Sequence, residues 1–374
     1  DDDYLHEYTY AQAGDVIFIC HQLFVPQQIV RTSLTNFQVE SFQFDQRSDN
    51  KAIFQPYFPF QTGGTTLDPS ATSGSGVTLT TSAAYWNTDS PSKHIGTTIR
   101  YNGNEIEITG VTSSTVATGD ILDSLKVTLL ANSLKVDEGS TSIEVTMVNH
   151  GFSVGDGFTV SNAGTIGGIS VNQINGARTV ASIISEDKFT FTAGASSNSS
   201  EVGGGTPDIT SHAPTTSWDE QSFSALRGYP AAVTFHENRL VFAGTLAQPD
   251  TLFFSKSAKY YNFDVGTAAD NDSIQITAAI GEIQQIRHIV SNRDLQVFAA
   301  SAELYIPSFQ NQALTPTNAQ IDVKRHLVLH SKDLRLLTEP PCLFKREAKL
   351  FVSLYLAIVK LRMLQMQYHL YLRI

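Results

Sequence analysis

The sequence predicts an all-β protein, with an irregular β-propeller-like body interrupted by inserted small β-barrel or sandwich modules. Three observations carry this. Short apolar or alternating runs are bounded by Gly, Asn and Asp turns. Helix signals are nearly absent before residue 325. One hairpin pattern, a turn residue, an apolar strand, a polar turn and a second strand, recurs three times.

The recurrences are Asp15-Val16-Ile17-Phe18-Ile19 with Gln28-Ile29-Val30-Arg31, Asn238-Arg239-Leu240-Val241-Phe242 with Thr251-Leu252-Phe253-Phe254, and Asp294-Leu295-Gln296-Val297-Phe298 with Glu303-Leu304-Tyr305-Ile306. Weak repetition of a hairpin unit is the pattern of propeller blades. It assigns residues 1–60 and 217–325 to two parts of one body.

Between them lies an insert rich in Ser, Thr and Gly. Residues 61–137 read as an inserted loop plus a small β module. Its first part, 61–92, is turn-rich and reads as a loop or loosely packed hairpin. Thr97-Thr98-Ile99-Arg100-Tyr101, the turn Asn102-Gly103 and Glu105-Ile106-Glu107-Ile108-Thr109 then read as a hairpin. Residues 138–194 read as a second, barrel-like module with strands over 142–148, 150–160, 176–184 and 188–191. Residues 195–216, with Gly203-Gly204-Gly205 and Pro207, read as the linker back to the body.

A hydrophobic content of 41% with 16% charged residues fits a soluble globular chain, and 374 residues suffice for two or three cored domains. No run approaches the ~18–20 apolar residues that span a bilayer, so no membrane segment is expected. The chain begins Asp1-Asp2-Asp3-Tyr4 without methionine or a secretory signal, which predicts a fragment whose start lies upstream. Cys20 and Cys342 are too few for a secreted disulfide framework, and a free, buried Cys20 in a reducing compartment is expected.

The net charge of −11 is uneven: residues 1–325 carry 17 Lys and Arg against 33 Asp and Glu, a net of −16, while residues 326–374 carry eight against three. An acidic body argues against a sequence-reading nucleic-acid binder, which presents a basic face to phosphates. It suits a surface that DNA slides past, and solubility explains it equally well.

After Arg325 the composition changes abruptly. All 25 glycines precede it, and 13 leucines fall in the last 49 residues against 17 in the first 325. One reading is an amphipathic helix over 353–372, with Leu354, Ile358, Leu361 and Gln365 at helical spacing. The favoured reading is a one-base deletion near His326. With one choice of codons and a suitable preceding base, Pro340 to Lys345 read from one base earlier gives the strand-like TALFVQ, and the same offset lets residues 349–360 yield AVREFVFSDSE. Residues 326–374 are then expected to be out of frame, poorly packed or spuriously helical, and without function.

Motifs for catalysis are missing: no G-x-S-x-G, P-loop or H-E-x-x-H occurs. His21, His94, His150, His236 and His288 lie at no metal-ligand spacing and read as turn or strand residues. Asp270-Asn271-Asp272 lacks the glycine and distal glutamate of a calcium loop. Asp156 and Asp187 sit in turn contexts. Tyr260, Tyr261 and Phe263 read as core or subunit-contact aromatics before they read as a stacking platform. Asn198-Ser199-Ser200 matches a glycosylation acceptor, a short and weak motif. The expectation is a non-enzymatic protein without catalytic, cofactor or metal residues and with unassigned binding residues.

The block Arg227-Gly228-Tyr229-Pro230-Ala231-Ala232-Val233-Thr234-Phe235-His236-Glu237-Asn238-Arg239-Leu240-Val241-Phe242-Ala243-Gly244-Thr245 resembles the tail nozzle proteins, or tail tubular proteins B, of short-tailed bacteriophages. So do residues 249–255, 260–263 and 286–290, and Tyr10 to Phe18 with Val30-Arg31-Thr32 is similar to the family's first blade region. Residues 138–194 look like the small β module labelled after a half-domain of ubiquitin-activating enzymes, which implies a fold and no ubiquitin chemistry. The resemblance covers roughly residues 4–325. It implies a homo-hexameric ring in the virion, assembled in the host cytoplasm below the tail adaptor protein and beside tail fibres. Genomic DNA would pass through the ring without sequence-specific binding. A receptor- or glycan-binding tail protein and a secreted β-propeller lectin are the alternatives.

Overall fold

The computed structural model describes residues 7–46, 53–89, 94–122, 124–148, 150–185, 187–211, 214–266, 268–278, 285–300, 302–308 and 312–326. The expectations for Cys342 and for the leucine-rich tail after His326 lie outside these residues. Apart from one short helix, the elements among them are strands.

The chain opens with a meander of β1 (Thr9–Ala13), β2 (Val16–His21), β3 (Phe24–Ser33) and β4 (Asn36–Ser41). It continues through β5 (Tyr57–Phe58), β6 (Leu67–Pro69), β7 (Gly74–Thr81), β8 (Thr98–Tyr101), β9 (Asn104–Ser113) and β10 (Val116–Ile121). Next come β11 (Lys126–Thr128), β12 (Leu134–Val136), β13 (Ser142–Thr146), β14 (Gly157–Ser161), the single-turn helix α1 (Val171–Ile174), β15 (Gly176–Ser185), β16 (Lys188–Thr192), β17 (Glu201–Gly203) and β18 (Asp208–Thr210). β19 (Trp218–Gln221) returns to the first insert. Two more meanders follow: β20 (Ala232–His236), β21 (Arg239–Ala243), β22 (Thr251–Phe254) and β23 (Ile274–Thr277), then β24 (Ile286–Ser291), β25 (Leu295–Ala299), β26 (Ala302–Ile306) and β27 (Asp322–His326).

The three meanders are blades. Their first strands are neighbours, β1 beside β20 and β20 beside β24, as in a propeller. The second and third strands of each are the pairs marked by the sequence repeat. The middle blade is buried on both faces, which is why β21 and β22 read as continuous apolar runs. Leu240, Phe242 and Phe253 meet Phe18, Cys20 and Phe42 of the first blade. The alternate residues Val241, Ala243, Leu252 and Phe254 meet Leu295, Val297, Leu304 and Ile306 of the third. Between β20 and β21 the hairpin turns on Glu237 and Asn238, with φ of 43° and 60°, the geometry that matches the twist of paired strands.

The inserts form an antiparallel seven-stranded sheet, ordered β5-β19-β8-β9-β10-β7-β6, and an eight-stranded one, ordered β11-β18-β14-β15-β16-β13-β12-β17. Each has its own core, Leu79, Trp86, Ile99, Tyr101, Ile106 and Trp218 in the first, and Ile143, Val145, Phe158, Phe189, Phe191 and Ile209 in the second. Of the two readings of 61–92, the hairpin holds: β6 pairs antiparallel with β7, and Val77, Leu79 and Thr81 alternate inward among threonines and serines. The linker reading of 195–216 differs, because that segment supplies β17 and β18, three-residue strands too short for a periodic signal, and Ile209 of β18 is fully buried.

The Asn102-Gly103 turn joins β8 to β9 with φ of 45° and 77°, and it also docks one insert on the other. The buried Asn102 amide accepts from the Ser211 hydroxyl (2.7 Å) and donates to the Asp156 carboxylate (3.2 Å) and the Ser217 carbonyl (3.3 Å). A Cβ on Gly103 would lie 2.7 Å from Cα of Gly151. Gly103→Ala therefore combines a left-handed backbone penalty with a backbone collision and is expected to cost about 1–3 kcal/mol. Urea denaturation followed by tryptophan fluorescence checks this, since Trp86 and Trp218, the chain's two tryptophans, lie in the first insert's core.

Candidate functional site

A cleft of about 750 Å³ opens where the two inserts meet the middle blade. Its walls come from residues 53–61, from β8 and β19, from Gly151 and Ser153, and from the segment 256–266. Register places Arg100 of β8 opposite Asp219 of β19, and the guanidinium donates to that carboxylate twice, Nε to Oδ1 at 3.0 Å and Nη2 to Oδ2 at 2.7 Å. Arg100 also lies 4.5 Å over the Tyr57 ring. The Tyr57 hydroxyl donates to buried Glu105 at 2.6 Å, and the same carboxylate accepts from the Ile53 N–H. Burial, reinforced by Glu105, pushes the Tyr57 phenol well up. Lys256 pairs with Asp264 (3.2 Å) and Asp272 (3.1 Å). Gln61 Nε2 donates to the Trp218 carbonyl at 2.6 Å, whereas its buried Oε1 has no partner among the described residues. The cleft therefore offers fixed polar groups whose charges are largely matched, an arrangement for holding a polar ligand.

A buried ionic cluster stands in the seven-stranded module. The Glu220 carboxylate, fully buried on β19, accepts from Arg227 Nε (3.0 Å) and Nη2 (2.6 Å) and from the Tyr85 hydroxyl. His94 Nδ1 accepts from the Asn87 N–H at 2.9 Å, and its Nε2 lies 3.4 Å from Glu220, within ion-pair range but outside hydrogen-bond geometry. Burial alone would raise the Glu220 carboxyl. His94 and Arg227 outweigh it and hold the group below the usual carboxylate range. Burial and Glu220 together push the Tyr85 phenol up. Arg227 packs 4.1 Å over Phe60, and its carbonyl accepts the Ala247 N–H, so the cluster ties the insert to the middle blade.

The other residues singled out by sequence are dispersed. His21 accepts from the Leu23 N–H, and His150 accepts from the Phe152 N–H while Nε2 faces the Ser185 carbonyl at 3.1 Å. His236 meets the Ser291 hydroxyl, and His288 lies on β24. Burial lowers the pKa of both His150 and His236. Asp156 accepts from the Ser153 N–H in its own turn, and the Asp187 carbonyl takes the Met147 N–H. Tyr261 stacks on Phe42, Tyr260 meets Phe235 edge-on, and Phe263 joins the core between the first two blades. Asn198 is exposed in the loop after β16. Cys20 is buried in the first blade with its thiol pushed up by burial. Among the described residues no group of three or more His, Cys, Asp or Glu is placed to hold a metal ion, and no helix is long and apolar enough to cross a membrane.

The Asp270-Asn271-Asp272 run meets a cation supplied by the chain itself. Arg239 is 1% exposed and donates to four main-chain carbonyls, of Ser255 (2.8 Å), Asp272 (2.5 Å), Asp270 (2.9 Å) and Leu314 (3.3 Å). Sequence reading found neither this hub nor the Glu220 cluster. Their only signal is an arginine inside an apolar strand and a carboxylate two residues after a tryptophan.

No family model matches the chain, and no curated protein matches it. Among solved structures it is similar to a phage phi92 endosialidase, at 12% identity and a TM-score of 0.23, over 84% of this chain and 56% of that one. The chain thus spans little more than half the length of that protein. A likeness of this size establishes neither topology nor activity.

Proposed function

We propose that this chain is a non-catalytic structural component of a bacteriophage tail, a subunit of the nozzle ring around the DNA exit channel. One observation carries the reading. The segments that resemble nozzle proteins, Tyr10 to Phe18 with Val30-Arg31-Thr32 and the block 228–305, fall within three four-stranded sheets whose first strands are neighbours. Stacked sheets with apolar faces on both sides make a stiff wall, and a body of net −16 over residues 1–325 repels a polyanion moving past it. The ring would be a homo-hexamer in the virion, assembled in the host cytoplasm, in contact with the tail adaptor protein and tail fibres and making no sequence-specific contact with DNA. Antibody labelling and mass spectrometry of purified particles from the encoding phage test this. The chain is expected in the tail fraction, and its absence from intact particles sinks the proposal.

A glycan-holding tail protein is the second reading, favoured by the polar cleft with its Gln61 Oε1 unpartnered among the described residues. A glycan array probed with the full chain tests it, with Arg100→Ala expected to abolish any signal if the cleft is the site. A blank array removes this reading.

A further inference from the structure

We propose that the Asn102-Gly103 turn is a self-modifying latch: the contact between the two inserts holds it unreacted, and deamidation of Asn102, once that contact opens, releases the inserts irreversibly. The chemistry needs no cofactor. The main-chain nitrogen of Gly103 attacks Cγ of Asn102, the new C–N bond closes a succinimide ring, and the Cγ–Nδ2 bond breaks as Nδ2 leaves with the Gly103 proton as ammonia. One water then opens the ring to an aspartyl or an isoaspartyl residue. No electrons are gained or lost. An asparagine followed by glycine is the pair most prone to this reaction, because no side chain shields the attacking nitrogen or restricts its approach.

The fold demands that pair at this place. Positive φ at both turn positions selects Asn and Gly, and the docking leaves no room for more: a Cβ on Gly103 would lie 2.7 Å from Cα of Gly151, and one on Gly151 would lie 2.4 Å from Cα of Gly103. Each insert presents bare backbone to the other. The same contact holds the reaction back, since Asn102 is 1% exposed, its amide is fixed by Ser211, Asp156 and the Ser217 carbonyl, and its main-chain N–H donates to that carbonyl at 3.0 Å. A side chain so held does not turn Cγ onto the Gly103 nitrogen, and the reaction waits for local opening. The product does not restore the contact. An aspartate at 102 loses the donor and sets a second carboxylate against that of Asp156, and an isoaspartate adds a methylene to the main chain of a two-residue turn.

Peptide mapping by mass spectrometry of the full chain, incubated at mildly alkaline pH, tests the latch, with the chain's other Asn-Gly pair as the internal comparison. Asn175-Gly176 follows α1, and the Asn175 amide is bonded both ways to the Ala163 main chain of the same insert, at 3.0 and 3.1 Å. In native buffer Asn102 is expected to deamidate at least about tenfold more slowly than in urea beyond the unfolding transition. Asp156→Ala is expected to speed the native reaction at Asn102 at least about tenfold and to leave Asn175 unchanged. Asn102→Asp installs one product directly, and it is expected to speed hydrogen exchange over residues 150–156 at least about tenfold while β13 and β16 keep their protection. The wild-type comparison stands even where a variant folds poorly. A native rate at Asn102 equal to the rate in urea, an Asp156→Ala chain that reacts no faster at Asn102 or equally faster at both pairs, or unaltered exchange in Asn102→Asp overturns the proposal.

Discussion

Arg239→Met is expected to lower the stability of the blades by roughly 3–5 kcal/mol, the largest loss anticipated from a single change in the body. The guanidinium sits at the start of β21 and donates to four carbonyls that belong to separate segments: the end of β22, two points in the loop before β23, and Leu314 before β27. Methionine fills similar volume but donates nothing, so it leaves buried carbonyl oxygens without partners, each costing about 1–3 kcal/mol where water cannot reach. Burial lowers the Arg239 pKa, and an arginine guanidinium stays protonated in proteins. Arg239→Lys is expected to recover less than half of the loss, since one ammonium cannot reproduce a planar fork aimed at carbonyls in several directions. Hydrogen exchange separates this from a general effect. Peptides covering β20 to β26 should lose protection, while those of the eight-stranded insert keep theirs. An unchanged urea midpoint for the methionine variant would show that solvent or neighbouring donors satisfy those carbonyls.

The parts of the fold that could be read in the sequence are those governed by local rules. Val241 and Leu252 alternate with Phe242 and Phe253 because β21 and β22 are buried on both faces, and that produces an apolar run visible without coordinates. Asn102-Gly103 announces its hairpin because both residues must take positive φ. Strand β7 was legible only as one arm of a loosely packed hairpin, because two inward apolar side chains, Val77 and Leu79, are few against a background of serine and threonine. β17 and β18 were hidden because three-residue strands are held by the sheet around them. The candidate site is less legible for a different reason. Arg100 meets Asp219 across a gap of 119 residues, and Tyr85 meets Glu220 across 135. The eight-stranded insert interrupts the chain between these partners, so no spacing rule links them. Asn102 was legible as a turn residue, and its second role, holding Asp156 and Ser211 of the other insert, emerges only from docking.

Glu220 is the second position where a large effect is expected. Glu220→Ala removes the anion facing Arg227, Tyr85 and His94 in a site closed to water, and loss of one partner from a buried ionic cluster typically costs about 3–5 kcal/mol. Glu220→Gln keeps the shape and removes the charge, which separates packing from electrostatics. The folded-state pKa of this carboxyl lies below its unfolded value. Its contribution is therefore complete above the unfolded value of about 4.3 and is lost as pH falls through the lower folded value. His150 and His236 act in the same direction at higher pH. Their folded pKa values are lowered by burial, so their contribution is complete above the unfolded value of about 6.5 and declines as pH falls below it. Urea midpoints followed by tryptophan fluorescence between pH 8 and 3 should thus fall in two stages. Tryptophan is the right probe, because the Trp218 and Tyr85 rings meet edge-on at 4.7 Å and Trp86 lies 5.3 Å from His94. Glu220→Gln is expected to be less stable at pH 7 and to lose the lower stage alone. A glutamine variant that keeps the full acid transition would assign it to other carboxylates, among them Asp208, whose pKa is lowered by hydrogen bonds from Thr128, Lys126 and Asn162.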